Sequence, residues 1–105
     1  MDAFLKLARY SFVTASIDYA PHRQGVYGLF DLDDLIYIGG TNDLHETIRA
    51  CLTNHAAGAH GECTKNATRY TWEVTRFAGD RIRELLAQFS ERHRRNPRCH
   101  AKDVR

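Results

Sequence analysis

The sequence lacks any long apolar segment and contains few cysteines. No apolar run approaches the roughly 20 residues that a membrane-spanning helix needs, so no membrane span is expected. The N-terminal residues show no basic stretch followed by a long apolar core, so no signal peptide is predicted and the cytoplasm is the expected compartment. The three cysteines, Cys51, Cys63 and Cys99, form no CxxC pair. Their odd number favours reduced thiols over a disulfide framework.

The chain also lacks a strong excess of charge of either sign. Its formal net charge is +2 and 43% of its residues are hydrophobic, which suits a globular domain rather than a disordered chain or a polycation. Positive charge is nevertheless concentrated near the C-terminus, at Arg92, Arg94, Arg95 and Arg98. This cluster fits either a nucleic-acid contact or a solvated helix end whose cations complement the helix dipole, and the composition leaves both interpretations open.

Apolar periodicity predicts three strands. Two short aromatic runs at 25–30 and 35–39 flank an acidic turn, which is typical of a β-hairpin. A third strand is predicted over 69–75, where Tyr70, Trp72 and Val74 alternate onto one face. Residues 10–24 are expected to be irregular.

Three helices are predicted, over 1–9, 43–55 and 79–94. Thr41, Asn42 or Asp43 is expected to cap the second of these, and Asn96-Pro97 to end the third. Apart from the short N-terminal helix, the order is β-β-α-β-α. We therefore expect an α+β fold, with a small antiparallel three-stranded sheet flanked by helices, in one domain (1–105) whose core spans about residues 20–100.

The hairpin carries two matching triplets, Gly25-Val26-Tyr27 and Tyr37-Ile38-Gly39. Taken alone, the two tyrosines are simply core aromatic residues on neighbouring strands. The surroundings add more, because the triplets are followed by a capped helix, by the run from Cys63 to Val74, by Arg-Ile-Arg-Glu-Leu-Leu (81–86) and by Asn-Pro-Arg-Cys-His (96–100). In this combination the chain resembles small single-domain members of the GIY-YIG nuclease superfamily, from about residue 20 to about residue 100.

The resemblance implies hydrolysis of phosphodiester bonds by in-line attack of water. In the family, a tyrosine of the first triplet helps to deprotonate the nucleophile, and the tyrosine of the second shapes the site and contacts phosphate. These positions are Tyr27 and Tyr37 here, with Gly39 allowing close approach of the backbone. A helix arginine stabilises the phosphate charge and a glutamate holds one divalent metal, usually Mg²⁺.

Neither of these two charged residues is present in this sequence. The arginine position, ten residues after the second tyrosine, is Thr47, and the glutamate position, three residues before Leu85, is Ile82. Neither side chain can supply charge or a metal ligand, so the resemblance implies a degenerate active site. Arg49 is two positions from Thr47, which is a rotation of about 200° around a helix, so we expect it to point away from the site.

Three functions remain open from the sequence. The first is a nucleic-acid-binding protein, with DNA the expected partner, that has lost or impaired phosphodiesterase activity and uses Arg49, Arg92, Arg94, Arg95 and Arg98. The second is an active Mg²⁺-dependent DNA endonuclease whose site is rebuilt from residues such as Arg49, Arg76, His45, Glu73 or Glu84. The third is a protein-interaction module. No cofactor is predicted with certainty, and Mg²⁺ is expected only if the protein cleaves.

A separate metal hypothesis concerns Cys51, His55, His60 and Cys63. Two cysteines and two histidines of this kind could hold one tetrahedral zinc ion, although the spacing fits no standard zinc-finger pattern. Cys51 and His55 also share a helix face, as core packing would require. The sequence leaves both interpretations open.

Overall fold

The computed structural model of the chain describes residues 9–53, 64–65, 67–95, 97 and 99. Its strands are β1 (Tyr10–Ser11), β2 (Gly25–Asp31), β3 (Asp34–Thr41) and β4 (Arg69–Val74), and its α-helices are α1 (Leu44–Thr53) and α2 (Ala78–His93). A 3-10 helix covers Thr14–Tyr19 between β1 and β2. The predicted N-terminal helix falls almost wholly outside the described residues. Among those residues, neither α-helix is long and apolar enough to cross a bilayer.

The sheet is antiparallel and has four strands, in the order β1-β4-β2-β3. The prediction of three strands was therefore short by one, and the prediction of an irregular segment over 10–24 was wrong at β1 and at the 3-10 helix. β1 pairs only Tyr10 with Tyr70 and Ser11 with Arg69. A two-residue strand has no alternation that a sequence could show, and it exists only because β4 offers it a partner.

The hairpin of β2 and β3 contains a β-bulge next to the second triplet. Leu29 pairs with Tyr37 and Phe30 with Leu35, so Ile36 is the extra residue of β3. At the turn, Leu32 has a φ of 57°, and its N–H donates to Oγ1 of Thr68 over 2.9 Å. The bulge brings both Ile36 and Tyr37 into contact with the same layer of the core.

Two helices cover opposite faces of this sheet. One core cluster joins Tyr27, Leu29 and Tyr70 of the sheet to Leu44, Ile48 and Cys51 of α1. The other joins Val26, Phe30, Leu35 and Ile38 to Leu85 and Phe89 of α2. Because neighbouring residues of a strand point to opposite faces, the alternation along β2 separates the two helices. We call these the α1 layer and the α2 layer.

Local hydrogen bonds define the start of α1 and the end of α2. Oδ1 of Asp43 accepts the N–H of Glu46 over 3.0 Å, which makes Asp43 the N-cap of α1, one of the three residues predicted for that role. The last turn of α2 closes at Arg94, which adopts the left-handed conformation and donates its N–H to the carbonyl of Ser90. The helices predicted over 43–55 and 79–94 are thus observed within two residues of their expected ends.

The cysteines correct one expectation. Cys51 is a buried free thiol, as predicted, but Cys99 is disulfide-bonded. Its partner lies outside the described residues. An odd number of cysteines argues against a framework of several bridges, but it leaves room for a single bond between two of the three.

Candidate functional site

Tyr27 and Tyr37 lie side by side in the α1 layer. Their ring centroids are 6.3 Å apart with an interplanar angle of 40°. Gly39 pairs with Tyr27 across the strands, and a Cβ added to Gly39 would lie 2.6 Å from Cζ and Oη of Tyr27. Only glycine at this position lets the Tyr27 ring cross the backbone of β3. The two triplets therefore meet in one packed unit.

The Tyr27 hydroxyl is sealed inside the protein. The side chain is 2% exposed, and its hydroxyl shares a hydrogen bond with the thiol of Cys51 on α1. Burial raises the pKa of Tyr27 far above its ordinary value, and the neighbouring Cys51 and Tyr37 raise it further. A general base works best when its pKa lies near the working pH. At neutral pH Tyr27 is a neutral, packed hydrogen-bonding group rather than a base.

Thr47, at the expected arginine position, lies in the first turns of α1 and contacts the end of β3. Its Oγ1 is 2.5 Å from Oγ1 of Thr41, and the N–H of Asp43 donates to that same Thr41 oxygen over 3.1 Å. Thr41 alternates onto the same face of β3 as Tyr37 and Gly39. Two uncharged hydroxyls therefore bond to each other at this position.

Ile82, at the expected glutamate position, packs against the α2 layer. Its Cδ1 lies only 2.7 Å from the point where a Cβ on Gly40 would stand, so it rests directly on the backbone beside Gly39. The acidic residues of this region are engaged elsewhere: Arg81 binds Glu73 through two nitrogens at 2.7 and 3.0 Å, and it also pairs with Glu84. Magnesium takes carboxylate and water oxygens, so these residues do not fit a magnesium site at position 82.

The predicted nucleic-acid contacts are divided between the two sides of the sheet. Arg49 lies exposed on α1 and pairs with Glu46, whereas Arg92 is exposed near the end of α2 and Arg94 is exposed just after it. Arg95 pairs with Asp34 over 3.5 Å and lies over the Phe89 ring. Arg98 lies outside the described residues. The tyrosine pair thus shares a layer with Arg49 but not with the arginines of α2.

Three arginines that lie far apart in the sequence converge on the acidic turn of the hairpin. Arg9 binds Oδ1 of Asp33 over 3.1 Å and Arg69 approaches it at 4.0 Å. With the Arg95–Asp34 pair, three arginines from three parts of the chain face two consecutive aspartates. Much of the positive charge at this end is therefore compensated.

A second cluster that the sequence did not predict lies at the start of α1. One ligand atom each from His22, His45 and Glu46 all fall within 4.8 Å of one another. The sequence pointed to His45 only as one of several residues for a rebuilt site, and it gave His22 no role. More than twenty residues separate the two histidines, so only the tertiary fold brings them together.

Of the four residues in the sequence-based zinc hypothesis, the structure describes only Cys51. His55, His60 and Cys63 lie outside the described residues. The Cys51 thiol lies in the core against Tyr27, and burial raises its pKa, which disfavours the thiolate that a zinc ligand must be. The four-residue zinc site stays a prediction.

Comparison with known proteins identifies the fold. No family model matches the sequence, and no curated protein matches it. Solved structures do match: the GIY-YIG N-terminal endonuclease domain of UvrC from Thermotoga maritima, as a point mutant bound to its catalytic divalent cation, is similar with a TM-score of 0.57 and 22% identity, covering 81% of this chain and 90% of that one. The same domain bound to magnesium gives a TM-score of 0.56 and 22% identity, covering 81% and 91%.

These similarities establish the fold that the sequence predicted. The protein has the GIY-YIG architecture, an antiparallel sheet with a helix on each face, and the two triplets occupy adjacent strands of that sheet. The chain covers most of the UvrC domain, so the match concerns the whole domain rather than one motif. At this level of identity the likeness concerns architecture, and the chemistry must be argued from the residues.

Proposed function

We propose that this GIY-YIG-fold protein binds nucleic acid and does not hydrolyse it. The observation that carries the proposal concerns the two positions at which the family has a charged residue. Thr47 is hydrogen-bonded to Thr41, and Ile82 is packed on Gly40. Both positions are filled by uncharged side chains that already have partners within the fold.

The chemistry of phosphodiester cleavage explains why these positions matter. Charge develops on the phosphate in the transition state and must be met by fixed positive charge. Removal of one such group commonly costs about 10²–10³ in rate. Here the helix arginine and the carboxylate that would hold a metal are both absent, and Tyr27 is neutral and buried.

Nucleic acid is the partner best supported by the remaining features. The solved structures of this fold that match the chain are endonuclease domains. Arg92 and Arg94 present exposed side chains at the end of α2, in reach of a phosphate backbone. Phosphate contacts by arginine need no catalytic group, so binding can persist after cleavage is lost. Duplex DNA is the form we expect to bind.

A cleavage assay separates loss of activity from a rearranged active site. Plasmid and oligonucleotide substrates are incubated with Mg²⁺ or Mn²⁺ and the natural protein, Tyr27→Phe, Thr47→Arg, or the double variant Thr47→Arg with Ile82→Glu. We expect no cleavage by the natural protein. Cleavage by the natural protein that Tyr27→Phe abolishes would show instead a working endonuclease with relocated groups. Circular dichroism confirms that each variant is folded, because Ile82→Glu places a carboxylate in a packed position.

A binding titration tests the first half of the proposal. Fluorescence anisotropy with duplex DNA and with RNA is followed over a range of salt concentrations, and log K should fall linearly with log salt. We expect the combined Arg92→Gln and Arg94→Gln variant to weaken binding and to reduce the salt slope by about 1–2. Arg83→Gln is the matched control, since Arg83 is exposed on the same helix but lies away from its C-terminal end. Absence of salt-dependent binding to either nucleic acid would favour a protein-interaction module.

A further inference from the structure

We propose that His22, His45 and Glu46 bind a divalent cation of the zinc class at the start of α1. Two imidazoles and a carboxylate converge there from two separate parts of the chain. The inference is independent of the proposed function, because it concerns binding of the metal alone, in the absence of nucleic acid.

The spacing of the three ligand atoms suits one small cation. They all lie within 4.8 Å of one another. Ligand atoms about 2.0–2.1 Å from a tetrahedral zinc ion are roughly 3.4 Å apart, so each atom needs to move inward by less than about 1 Å. The side chains of His22 and Glu46 are 61% and 49% exposed, which leaves them free to make this movement.

Each imidazole is held by a hydrogen bond at its Nδ1. Nδ1 of His45 lies 3.0 Å from the carbonyl oxygen of Ala20, and a carbonyl can only accept, so Nδ1 carries the proton. Nδ1 of His22 lies 3.1 Å from the carboxylate of Asp43. In both neutral rings Nε2 then keeps its lone pair. Metal-bound histidines typically show this arrangement, in which the second ring nitrogen donates to a carbonyl or a carboxylate.

Backbone hydrogen bonds hold the two segments against each other. The N–H of His45 donates to the carbonyl of Pro21 over 3.0 Å, and the N–H of Leu44 donates to the carbonyl of Arg23 over 2.9 Å. These bonds place His22 directly across from the first turn of α1, and the two imidazole centroids are 4.2 Å apart. The site is therefore part of the folded structure rather than a meeting of loose side chains.

The ligand set selects the kind of cation. Imidazole suits zinc and its transition-metal neighbours, whereas magnesium prefers oxygen ligands and retains its waters. Three protein ligands leave a fourth position of a tetrahedral zinc ion for water or another oxygen. Arg49 is the competing cation, because its Nη2 lies 2.8 Å from Oε1 of Glu46.

Calorimetric titration with ZnCl2, and in parallel with MgCl2, tests the proposal on protein that carries no histidine tag. We expect one equivalent of Zn²⁺ to bind and Mg²⁺ not to compete. His22→Gln and Glu46→Gln should each weaken zinc binding by about tenfold or more. Arg49→Gln should strengthen it by roughly two- to fivefold, because the competing ion pair is removed. His93→Gln, an exposed histidine on α2, is the matched control and should have no effect.

A second comparison distinguishes this site from the zinc set suggested by the sequence. The combined His55→Gln and His60→Gln variant should keep the affinity of the natural protein for zinc. The Co²⁺-loaded protein should show no thiolate charge-transfer band. The proposal is overturned if the natural protein binds no zinc, if His22→Gln and Glu46→Gln bind it unchanged, or if binding is lost only in the His55 and His60 variant.

Discussion

At the scale of single residues, the contact between Gly39 and the Tyr27 ring explains the glycine of the second triplet. The strands β2 and β3 could pair with many residues at position 39, but the ring leaves room for a hydrogen atom alone. The glycine is therefore required by packing, without reference to any substrate.

The first prediction concerns this contact. Gly39→Ala should lower the free energy of unfolding by about 1–3 kcal/mol, because the added methyl group forces the ring or the strand to shift. Gly79→Ala is the matched control: Gly79 lies in the first turn of α2, and an added Cβ there would have no neighbour nearer than 4.0 Å. It should stabilise the protein by about 0.4–1 kcal/mol.

Urea unfolding followed by circular dichroism measures both changes. Equal effects of the two substitutions would contradict the packing role of Gly39. A Gly39→Ala protein as stable as the natural one would do the same.

The sequence grouped Tyr27, Tyr37 and Thr47 in one predicted site, through the triplets and the spacing of the first helix, but it did not indicate the state of their side chains. The burial of the Tyr27 hydroxyl against Cys51 could not be predicted, because it depends on how α1 packs across the sheet. The convergence of His22 and His45 was hidden for the same reason, since it depends on backbone bonds between distant segments.

At the scale of secondary structure elements, the attachment of α2 to the sheet combines apolar packing with one ion-pair network. Arg81 reaches from the first turns of α2 to Glu73 on β4, and it also pairs with Glu84. The side chains of Arg81 and Glu73 are only 18% and 27% exposed. This network is shielded from water more than the other ion pair of the same helix turn, Arg83–Asp80.

The second prediction follows from that difference. Arg81→Gln should destabilise the protein by about 1–3 kcal/mol, between the values for exposed and buried ion pairs, because it leaves a half-buried carboxylate at Glu73 without its partner. Arg83→Gln should change stability by less than about 0.5 kcal/mol. A double-mutant cycle with Glu73→Gln measures the coupling, which should be about 0.5–3 kcal/mol. A coupling near zero would show that apolar packing alone attaches α2.

Most elements were predictable because their own residues specify them. The apolar period of α1 and α2, the cap at Asp43 and the alternation of β2 and β4 are local signals. The bulge at Ile36 and the strand β1 are not local, since each is defined by its register against another strand. The triplets and the segments around them made the fold recognisable despite these gaps.

At the scale of the whole molecule, the change of stability at high pH should reflect the ionisation of two buried tyrosines. Burial raises the pKa of Tyr70 from 10.0 to about 12, and the nearby Tyr10, Tyr19 and Asp18 add to the effect. The Tyr70 hydroxyl donates to the carbonyl of Ser16. Burial raises the pKa of Tyr27 in the same direction. Both groups are thus protonated in the folded protein at pH values where the unfolded chain ionises.

The third prediction is that the free energy of unfolding falls as the pH rises above about 10. A pKa raised in the folded state favours the neutral form, so this stabilisation is complete below the unfolded value of 10.0 and is lost as the pH approaches 12. Urea titrations from pH 8 to 11 measure the slope, and Tyr70→Phe should reduce it. A slope that Tyr70→Phe leaves unchanged would assign the loss of stability to other groups.

The two-layer arrangement also limits how the whole molecule can meet a partner. Arg49 lies on the α1 side of the sheet and the arginines of α2 lie on the other. One straight duplex cannot lie flat on both sides. We therefore expect nucleic acid to contact only one side of the sheet. A comparison of the binding of Arg49→Gln with that of the Arg92 and Arg94 variant shows which side it is.

The packing of Tyr27 on Gly39 has an evolutionary consequence. A residue pattern that the fold itself needs is retained by selection for folding, whether or not the protein cleaves phosphodiesters. The triplets then indicate the fold, whereas the residues at positions 47 and 82 indicate whether the charged groups that cleavage needs are present. A search for nucleases by the triplets alone will find proteins that lack the charged residues together with active nucleases. The residues at positions 47 and 82 should distinguish the two groups.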